Sequence, residues 1–137
     1  MIACGRDAAA AQPALLIGIG PDTAFDVARQ IRSDLITWQG NYPSFTALDQ
    51  APAFSGPVIL LADVDGGFDA LDHVLEEHQR GAPRPPMIIQ ISKPAVRAAV
   101  TAMQRGAIDV LVKPYTIPRL ASALRDAVQL RRVLRFS

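Results

Sequence analysis

The chain has 137 residues, of which 50% are hydrophobic and 20% are charged, and its formal net charge is +1. This composition excludes an intrinsically disordered chain, and the length suits one domain with its own core. The near-neutral charge excludes a general electrostatic attraction to nucleic acid or to an anionic membrane. No apolar run approaches the roughly 20 residues of a membrane span, so no membrane association is expected. The single cysteine, Cys4, permits no intramolecular disulfide and favours a reducing, cytoplasmic location.

The N-terminal part of the chain is predicted to contain a tail, two strands and a helix. Residues 1–12 are rich in alanine and are expected to form a disordered tail ahead of a single domain over residues 13–137. The apolar run Ala14–Ile19 predicts a first strand that is buried on both faces. The spacing of apolar residues predicts a helix over residues 24–32, and residues 35–38 are expected to form a second strand.

The middle of the chain alternates between helical and extended patterns. A short helix is expected over residues 45–48, between loops rich in proline, serine and glycine. The apolar residues 58–62 predict a third strand, which residues 63–67 would follow as a loop. Helical spacing then covers residues 68–79, and Met87–Ile91 is a fourth apolar strand.

The last third of the chain has the clearest pattern. A helix is predicted over residues 95–105, and Gly106 suits the left-handed turn that ends a helix. A fifth strand is predicted over residues 108–112 and a final helix over residues 118–134. One face of the helix over residues 95–105 is apolar and consists of Val96, Ala99, Val100 and Met103.

Five apolar strands therefore alternate with five helical segments. Such alternation predicts an α/β domain whose parallel sheet is covered by helices on both faces. Parallel sheets of this kind bind their ligands just beyond the carboxyl ends of the strands. The residues that follow the strands are therefore the candidates for a functional site.

The segment AVTAMQRGAIDVLVKPY, residues 99–115, resembles a segment of bacterial response-regulator receiver domains. That segment reads A-M-x-x-G-A-x-D, an aromatic and an apolar residue, any residue, then K-P and an aromatic residue. A weaker likeness extends over residues 14–130. The resemblance implies the flavodoxin-like (CheY-like) fold, a five-stranded parallel sheet with strand order 2-1-3-4-5.

The resemblance also implies which positions would carry phosphoryl transfer to an aspartate. The phosphoryl-binding lysine of the family matches Lys113, and Pro114 and Tyr115 match the residues after it. The carboxylates that hold Mg²⁺ in the family should follow the first strand, where this chain has Gly18 and Ile19. Neither residue offers a side-chain oxygen, so no metal and no cofactor is expected.

Two positions remain open for the phosphoacceptor after the third strand. Counting without gaps places Ala62 there, whereas a one-residue shift places Asp63 there. We prefer Ala62, because a register slip in a strand turns every side chain to the opposite face. Asp63 and Asp65 would then be solvated acids of a loop.

The remaining family positions are also altered or ambiguous. The hydroxyl residue after the fourth strand is either absent, with Ile91 in its place, or is Ser92. The aromatic residue of the fifth strand is replaced by the aliphatic Val110. Because an unpaired buried ammonium is costly, we expect Lys113 to be partly exposed or to pair with Asp63 or Asp65.

The fourth helix, fifth strand and fifth helix form the usual partner and dimer surface of the family, and a homodimer through this face is a hypothesis here. We expect Asp109 to meet an arginine of the partner copy. Direct DNA binding is not expected, because no basic stripe is interleaved with aromatic residues. The candidate interface residues are Arg97, Thr101, Arg105, Asp109, Arg119 and Arg125.

The sequence thus predicts an atypical receiver domain that is not an enzyme. Its function would be phosphorylation-independent protein–protein interaction and regulation in bacterial signalling, as a separate adaptor or joined to an output domain. The first alternative is a working phosphoacceptor domain that uses Asp63, with Asp65 or Asp22 helping to hold Mg²⁺. The second is a binder of a small ligand or nucleotide at the turn over residues 18–21. The sequence leaves open the partner, the pathway, the attached domain and the oligomeric state.

Overall fold

The computed structural model describes residues 13–65, 67–80, 84–92 and 96–135, with side chains up to residue 129. Five strands form one parallel sheet in the order β2-β1-β3-β4-β5, which confirms the predicted flavodoxin-like, CheY-like fold. The strands are β1 (Ala14–Ile19), β2 (Ile36–Tyr42), β3 (Val58–Val64), β4 (Met87–Ile91) and β5 (Asp109–Val112). The helices are α1 (Asp26–Arg29), α2 (Phe45–Asp49), α3 (Gly67–Arg80), α4 (Val96–Gln104) and α5 (Ile117–Arg135).

The sheet has a separate apolar core on each face, because successive strand residues point to opposite sides. On one face α1 and α5 cover a core that includes Leu16, Leu61 and Leu111. On the other face α2, α3 and α4 cover a core that includes Ile17 and Ala62. Both faces of the central strands are therefore buried, which explains why their sequences are apolar throughout.

The region between β1 and β2 differs from the prediction. A 3-10 turn over Asp22–Phe25 precedes α1, which ends at Arg29, so the predicted helix over residues 24–32 is much shorter. The strand β2 extends to Tyr42, four residues beyond the prediction, and passes through a register shift opposite β1. This strand lies at the edge of the sheet, where polar residues such as Gln39 remain in contact with solvent.

The helix α4 packs on the sheet through small residues. Ala102 is fully buried, and Ala98 packs against the same core. The apolar stripe seen in the sequence therefore points away from the core: Val96 is 83% exposed, Val100 49% and Met103 49%. Hydrophobic spacing located the helix, but the alanines determine which face is buried. In the described part of the chain, no helix has the length and apolar content to cross a membrane.

Candidate functional site

The candidate site lies at the carboxyl ends of β3, β4 and β5. Asp63 is the sixth residue of β3 and pairs in register with Gln90 of β4. Lys113 follows the last residue of β5, and its backbone N–H donates to Ile91 O at 2.7 Å. Three neighbouring strands thus bring an acid, an amide and an ammonium group together.

The lysine faces Asp63 and not Ala62. The strand β3 continues to Val64, past the predicted end at Ala62. Ala62 and Asp63 are therefore consecutive strand residues, and their side chains point to opposite faces of the sheet. Ala62 is fully buried in the core beneath α2, α3 and α4, whereas the Asp63 side chain meets Lys113 and is 6% exposed. The preference for Ala62 at this position was therefore wrong, and so was the expectation that Asp63 is a solvated loop acid. The loop is short because α3 begins at Gly67.

Lys113 bridges two carboxylates. Its Nζ atom donates to Asp63 Oδ1 at 2.5 Å and to Asp65 Oδ2 at 3.1 Å, and its side chain is 22% exposed. The expected pairing of Lys113 with these acids is thus present. Burial lowers the pKa of the ammonium, but the hydrogen bonds to Asp63 and Asp65 outweigh burial, so the pKa lies above its ordinary value. Lys113 is therefore positively charged at neutral pH, and the peptide bond to Pro114 is cis.

Asp65 connects the lysine to the end of β4. The Ser92 hydroxyl donates to Asp65 Oδ1 at 2.6 Å. This hydrogen bond is the main reason that the pKa of Asp65 is lowered, and the ammonium of Lys113 adds to the effect. Of the two candidates for the hydroxyl position, Ser92 lies at the site, whereas Ile91 is buried in the core beneath α3 and α4. Asp65 itself remains 54% exposed.

Gln90 is the site residue that sequence reasoning missed. It is fully buried, and its Nε2 donates to Asp63 Oδ1 at 2.9 Å and to Ala24 O at 2.7 Å. Its Oε1 accepts from the Tyr115 hydroxyl at 2.5 Å. A polar residue inside the apolar strand MIIQI was the available signal, because a buried amide needs hydrogen-bond partners from neighbouring elements.

Tyr115 closes this network beside α5. Its burial raises the pKa of the phenol to about 12, and the negative charge of Asp63 adds to the effect. The phenol is therefore neutral at physiological pH and can donate its proton to Gln90. Val110 lacks a polar group and packs against the core on the face of the sheet that α2, α3 and α4 cover.

The carboxyl end of β1 is closed by packing. A Cβ atom on Gly18 would lie 2.8 Å from the ring of Phe25, and one on Gly20 would lie 2.9 Å from Cβ of Asp63. Ile19 is buried in the core with Ala62. The glycines therefore let Phe25 and Asp63 approach the backbone closely, and the Phe25 ring fills the space in which a side chain at Gly18 would lie.

The fold family implies a bound Mg²⁺, and the oxygen donors at the site decide whether this ion fits. Mg²⁺ prefers carboxylate and carbonyl oxygens in octahedral geometry. The acids at the site are Asp63 and Asp65, and both accept hydrogen bonds from Lys113. Asp22 is exposed in the 3-10 turn. Among the residues that the structure describes, no three His, Cys, Asp or Glu side chains cluster for a metal. The residues present do not fit the family's carboxylate-bound Mg²⁺.

Comparison with solved structures identifies the fold. A scan of protein-family models and a search of curated proteins gave no match. A response regulator from Thermotoga maritima is similar at 13% identity, with 86% of this chain and 99% of that chain covered and a TM-score of 0.69. A putative CpaE2 pilus assembly protein from Sinorhizobium meliloti is similar at 16% identity, with 82% and 98% covered and a TM-score of 0.64. NtrX from Brucella abortus, solved in complex with ADP, is similar at 21% identity, with 90% of this chain but 29% of that chain covered and a TM-score of 0.62. The chain has the receiver-domain fold.

The receiver fold places the candidate interface residues on different surfaces. Asp109 accepts two hydrogen bonds from Arg119 of the same chain, at 2.8 and 3.0 Å, so its carboxylate already has an arginine partner; its contact with an arginine of a second copy stays a prediction. Arg105 turns toward α3, where it pairs with Asp72 and Gln79. Side chains of the same chain thus provide hydrogen-bond partners for both Asp109 and Arg105. Arg97 and Arg125 are exposed, and Thr101 is half-buried.

The surface of α4 and β5 is more apolar than the charged candidates suggested. Val96, Val100 and Met103 form one exposed stripe along α4. Val112 of β5 is 39% exposed and points to the α4 side of the sheet, as Val110 does. Because β5 is an edge strand, the backbone groups on its outer side form no sheet hydrogen bonds within the residues that the structure describes. This set of four residues is called the α4–β5 patch below.

Proposed function

We propose that the chain is an atypical receiver domain that regulates through protein–protein contacts and does not transfer a phosphoryl group. It acts in bacterial signalling and is not an enzyme. The observation that carries the proposal is the closed end of β1, where Gly18 and Gly20 pack against Phe25 and Asp63. Gly18 and Ile19, the positions that match the metal carboxylates of the family, have no side-chain oxygen, and the Phe25 ring leaves no space for a side chain at Gly18.

The electrostatics of the site support the same proposal. Phosphorylation of Asp63 would add negative charge next to Asp65, with Lys113 as the cation within hydrogen-bond distance of both acids. In phosphoryl transfer, metal ions neutralise much of the charge that develops on the transferred group. Without a fitting metal site, this charge would be poorly compensated at Asp63.

The α4–β5 patch supports a binding function. Exposed apolar groups that lie close together mark interaction surfaces more often than isolated ones do. We propose that this patch binds a second copy of the chain, an attached output domain or a partner protein. The match to NtrX covers 29% of that longer chain, which supports attachment to further domains as one context for this fold.

A working phosphoacceptor domain is the second candidate function, because Asp63 and not Ala62 lies beside Lys113. An amide NMR titration with Mg²⁺ and beryllofluoride, which mimics an aspartyl phosphate, separates the two functions. We expect no saturable shifts at Asp63, Ser92 or Lys113 in the wild type. Saturable shifts at these residues that disappear in Asp63→Asn would overturn the proposal. Mass spectrometry after incubation with a small phosphodonor provides an independent measurement of phosphorylation.

The homodimer hypothesis is tested by sedimentation velocity over a concentration series. We expect the average mass to rise above the 14.7 kDa of one chain, and Val100→Lys to prevent this rise. Gln39→Lys is the matched control, since it introduces the same charge at an exposed residue of β2, at the opposite edge of the sheet. A concentration-dependent mass that Val100→Lys leaves unchanged would show that another surface associates.

The third hypothesis, a ligand at the turn over residues 18–21, is tested by thermal shift with nucleotides. A tightly bound ligand raises the melting temperature by mass action. We expect no rise, because Phe25 and Asp63 cover the two glycines of the turn. A saturable rise that Gly20→Ala abolishes would support the ligand hypothesis.

A further inference from the structure

The side-chain amide of Gln90 joins β4 to three other parts of the fold. Within the described ranges of the chain, Gln90 is the single polar residue that is fully buried. Its Nε2 donates to Ala24 O at 2.7 Å and to Asp63 Oδ1 at 2.9 Å, and its Oε1 accepts from the Tyr115 hydroxyl at 2.5 Å. These partners belong to the 3-10 turn before α1, to β3 and to the connection between β5 and α5.

The amide of Gln90 has one orientation that satisfies all three partners. Ala24 O and the Asp63 carboxylate are acceptors, so both need the NH₂ group. The Tyr115 hydroxyl donates its proton and therefore needs the carbonyl oxygen of the amide. A reversed amide would place this oxygen next to the two acceptors without a proton between them. The amide therefore has no alternative set of partners, and a change in one of its hydrogen bonds affects the others.

The bond between Gln90 and Asp63 shares its acceptor with Lys113. Asp63 Oδ1 accepts from Gln90 Nε2 at 2.9 Å and from Lys113 Nζ at 2.5 Å. Hydrogen bonds that share a group inside a protein polarise one another, so the loss of one alters the other. Lys113 is 22% exposed and also contacts Asp65, which is 54% exposed. A group that arrives from solvent can therefore reach the ammonium and, through it, the oxygen that Gln90 binds.

The hydrogen bonds of Gln90 lie on the side of the sheet that α1 and α5 cover. Its neighbours Ile89 and Ile91 belong to the core beneath α2, α3 and α4, whereas Ile88 belongs to the core beneath α1 and α5. Alternation along β4 therefore directs Gln90 to the same side as Ile88. Tyr115 packs against that same core. This polar connection leads away from the α4–β5 patch, which lies on the opposite side of the sheet.

We propose that Gln90 is a positioning residue that couples Lys113 to Tyr115 and to the turn before α1. An acidic group of a binding partner that pairs with Lys113 weakens the bond of the ammonium to Asp63. Gln90 then becomes the main donor to Asp63 Oδ1, and its bonds to Ala24 and Tyr115 change with it. A contact at the carboxyl ends of the strands thereby reaches the start of α5. The partner rests on the proposed binding function, whereas the coupling within the chain does not.

Lys113→Met reproduces the loss of the ammonium contact, and NMR of the Ala24 carbonyl carbon measures whether its effect crosses Gln90. We expect this signal to shift. In Gln90→Met, which keeps the side-chain length and removes the polar groups, Lys113→Met should no longer shift it. Gln104→Met is the matched control, since it replaces an exposed glutamine of α4. In that background the Ala24 signal should shift as it does in the wild type.

Tyr115→Phe tests the coupling in the opposite direction and leaves Gln90 in place, so it decides the question even where Gln90→Met fails to fold. Removal of the hydroxyl should shift the carboxyl carbon signal of Asp63, because both groups bind the same amide. Tyr42→Phe is the matched control, since Tyr42 packs against the core on the other side of the sheet, and it should leave this signal unchanged.

Two outcomes would overturn the proposal. One is an Asp63 carboxyl signal that Tyr115→Phe leaves unchanged. The other is an Ala24 shift on Lys113→Met that persists in Gln90→Met, because the effect would then pass through packing and not through the amide. Neither measurement uses Mg²⁺ or a phosphodonor. A failed coupling is therefore distinct from a failure of the proposed function, which the beryllofluoride titration tests.

Discussion

Lys113 Nζ lies 2.5 Å from Asp63 Oδ1, although the two residues are fifty positions apart in the chain. The same carboxylate oxygen accepts a hydrogen bond from Gln90 Nε2. Asp63 is therefore held by a cation from β5 and an amide from β4, at the place where these strands end. This arrangement links three strands by polar contacts in a domain that is otherwise stabilised by two apolar cores.

Removal of the Asp63 carboxylate is expected to destabilise the domain. In Asp63→Ala, Gln90 and the partly buried Lys113 each lose an acceptor, which should cost about 1–3 kcal/mol. Asp65→Ala is the matched control, since Asp65 also contacts Lys113 but is 54% exposed, and it should cost less than about 1 kcal/mol. Urea unfolding measures both values. Equal losses in the two variants would contradict a special role for Asp63.

The pKa of Asp65 should depend on Ser92. The Ser92 hydrogen bond is the main cause of the lowered pKa, so Ser92→Ala should raise this pKa toward the ordinary value. A lowered carboxyl pKa stabilises the folded state above the unfolded value of about 3.9, and this contribution is lost as the pH falls through the folded pKa. Carboxyl carbon NMR titration measures the pKa directly. An unchanged Asp65 pKa in Ser92→Ala would show that Lys113 dominates.

Gln90 should be intolerant of apolar replacement despite its full burial. Gln90→Leu would leave the Ala24 carbonyl and the Tyr115 hydroxyl without their partner, at a cost of about 1–3 kcal/mol. Gln104→Leu, at an exposed position of α4, should stay within about 0.5 kcal/mol of the wild type. Chemical denaturation compares the two. A neutral Gln90→Leu would mean that burial of leucine offsets the lost hydrogen bonds.

Gly18 is expected to be required for the packing of Phe25. Gly18→Ala places a Cβ atom 2.8 Å from the aromatic ring, and overpacking of this kind costs about 1–3 kcal/mol. Phe25→Leu in the same chain should reduce this penalty, because the smaller side chain leaves room for the methyl group. A double-mutant cycle on the free energies of unfolding gives the coupling. Additive effects would argue against a direct contact as the cause.

The fold was predictable because hydrophobic spacing and turn residues act locally. The strand Met87–Ile91 has the predicted bounds, and the segment over residues 99–115 lies on α4, β5 and the Lys113–Pro114 step as expected. The prediction was weaker near β2, where an edge strand tolerates polar residues. Residues 1–12 lie outside the described part of the chain, so their prediction as a tail remains a prediction.

Sequence alone determined the alternation of strands and helices, the lysine that follows β5 and the lack of carboxylates at Gly18 and Ile19. These properties depend on residue identity and on contacts between close neighbours in the chain. Tertiary structure alone decided that Asp63 faces Lys113, that Gln90 joins them and that Asp109 pairs with Arg119. Each of these outcomes depends on which side of a strand or helix faces a distant partner. A shift of one residue along a strand turns its side chains to the opposite face of the sheet. Local propensity does not specify the length of a strand to within one residue.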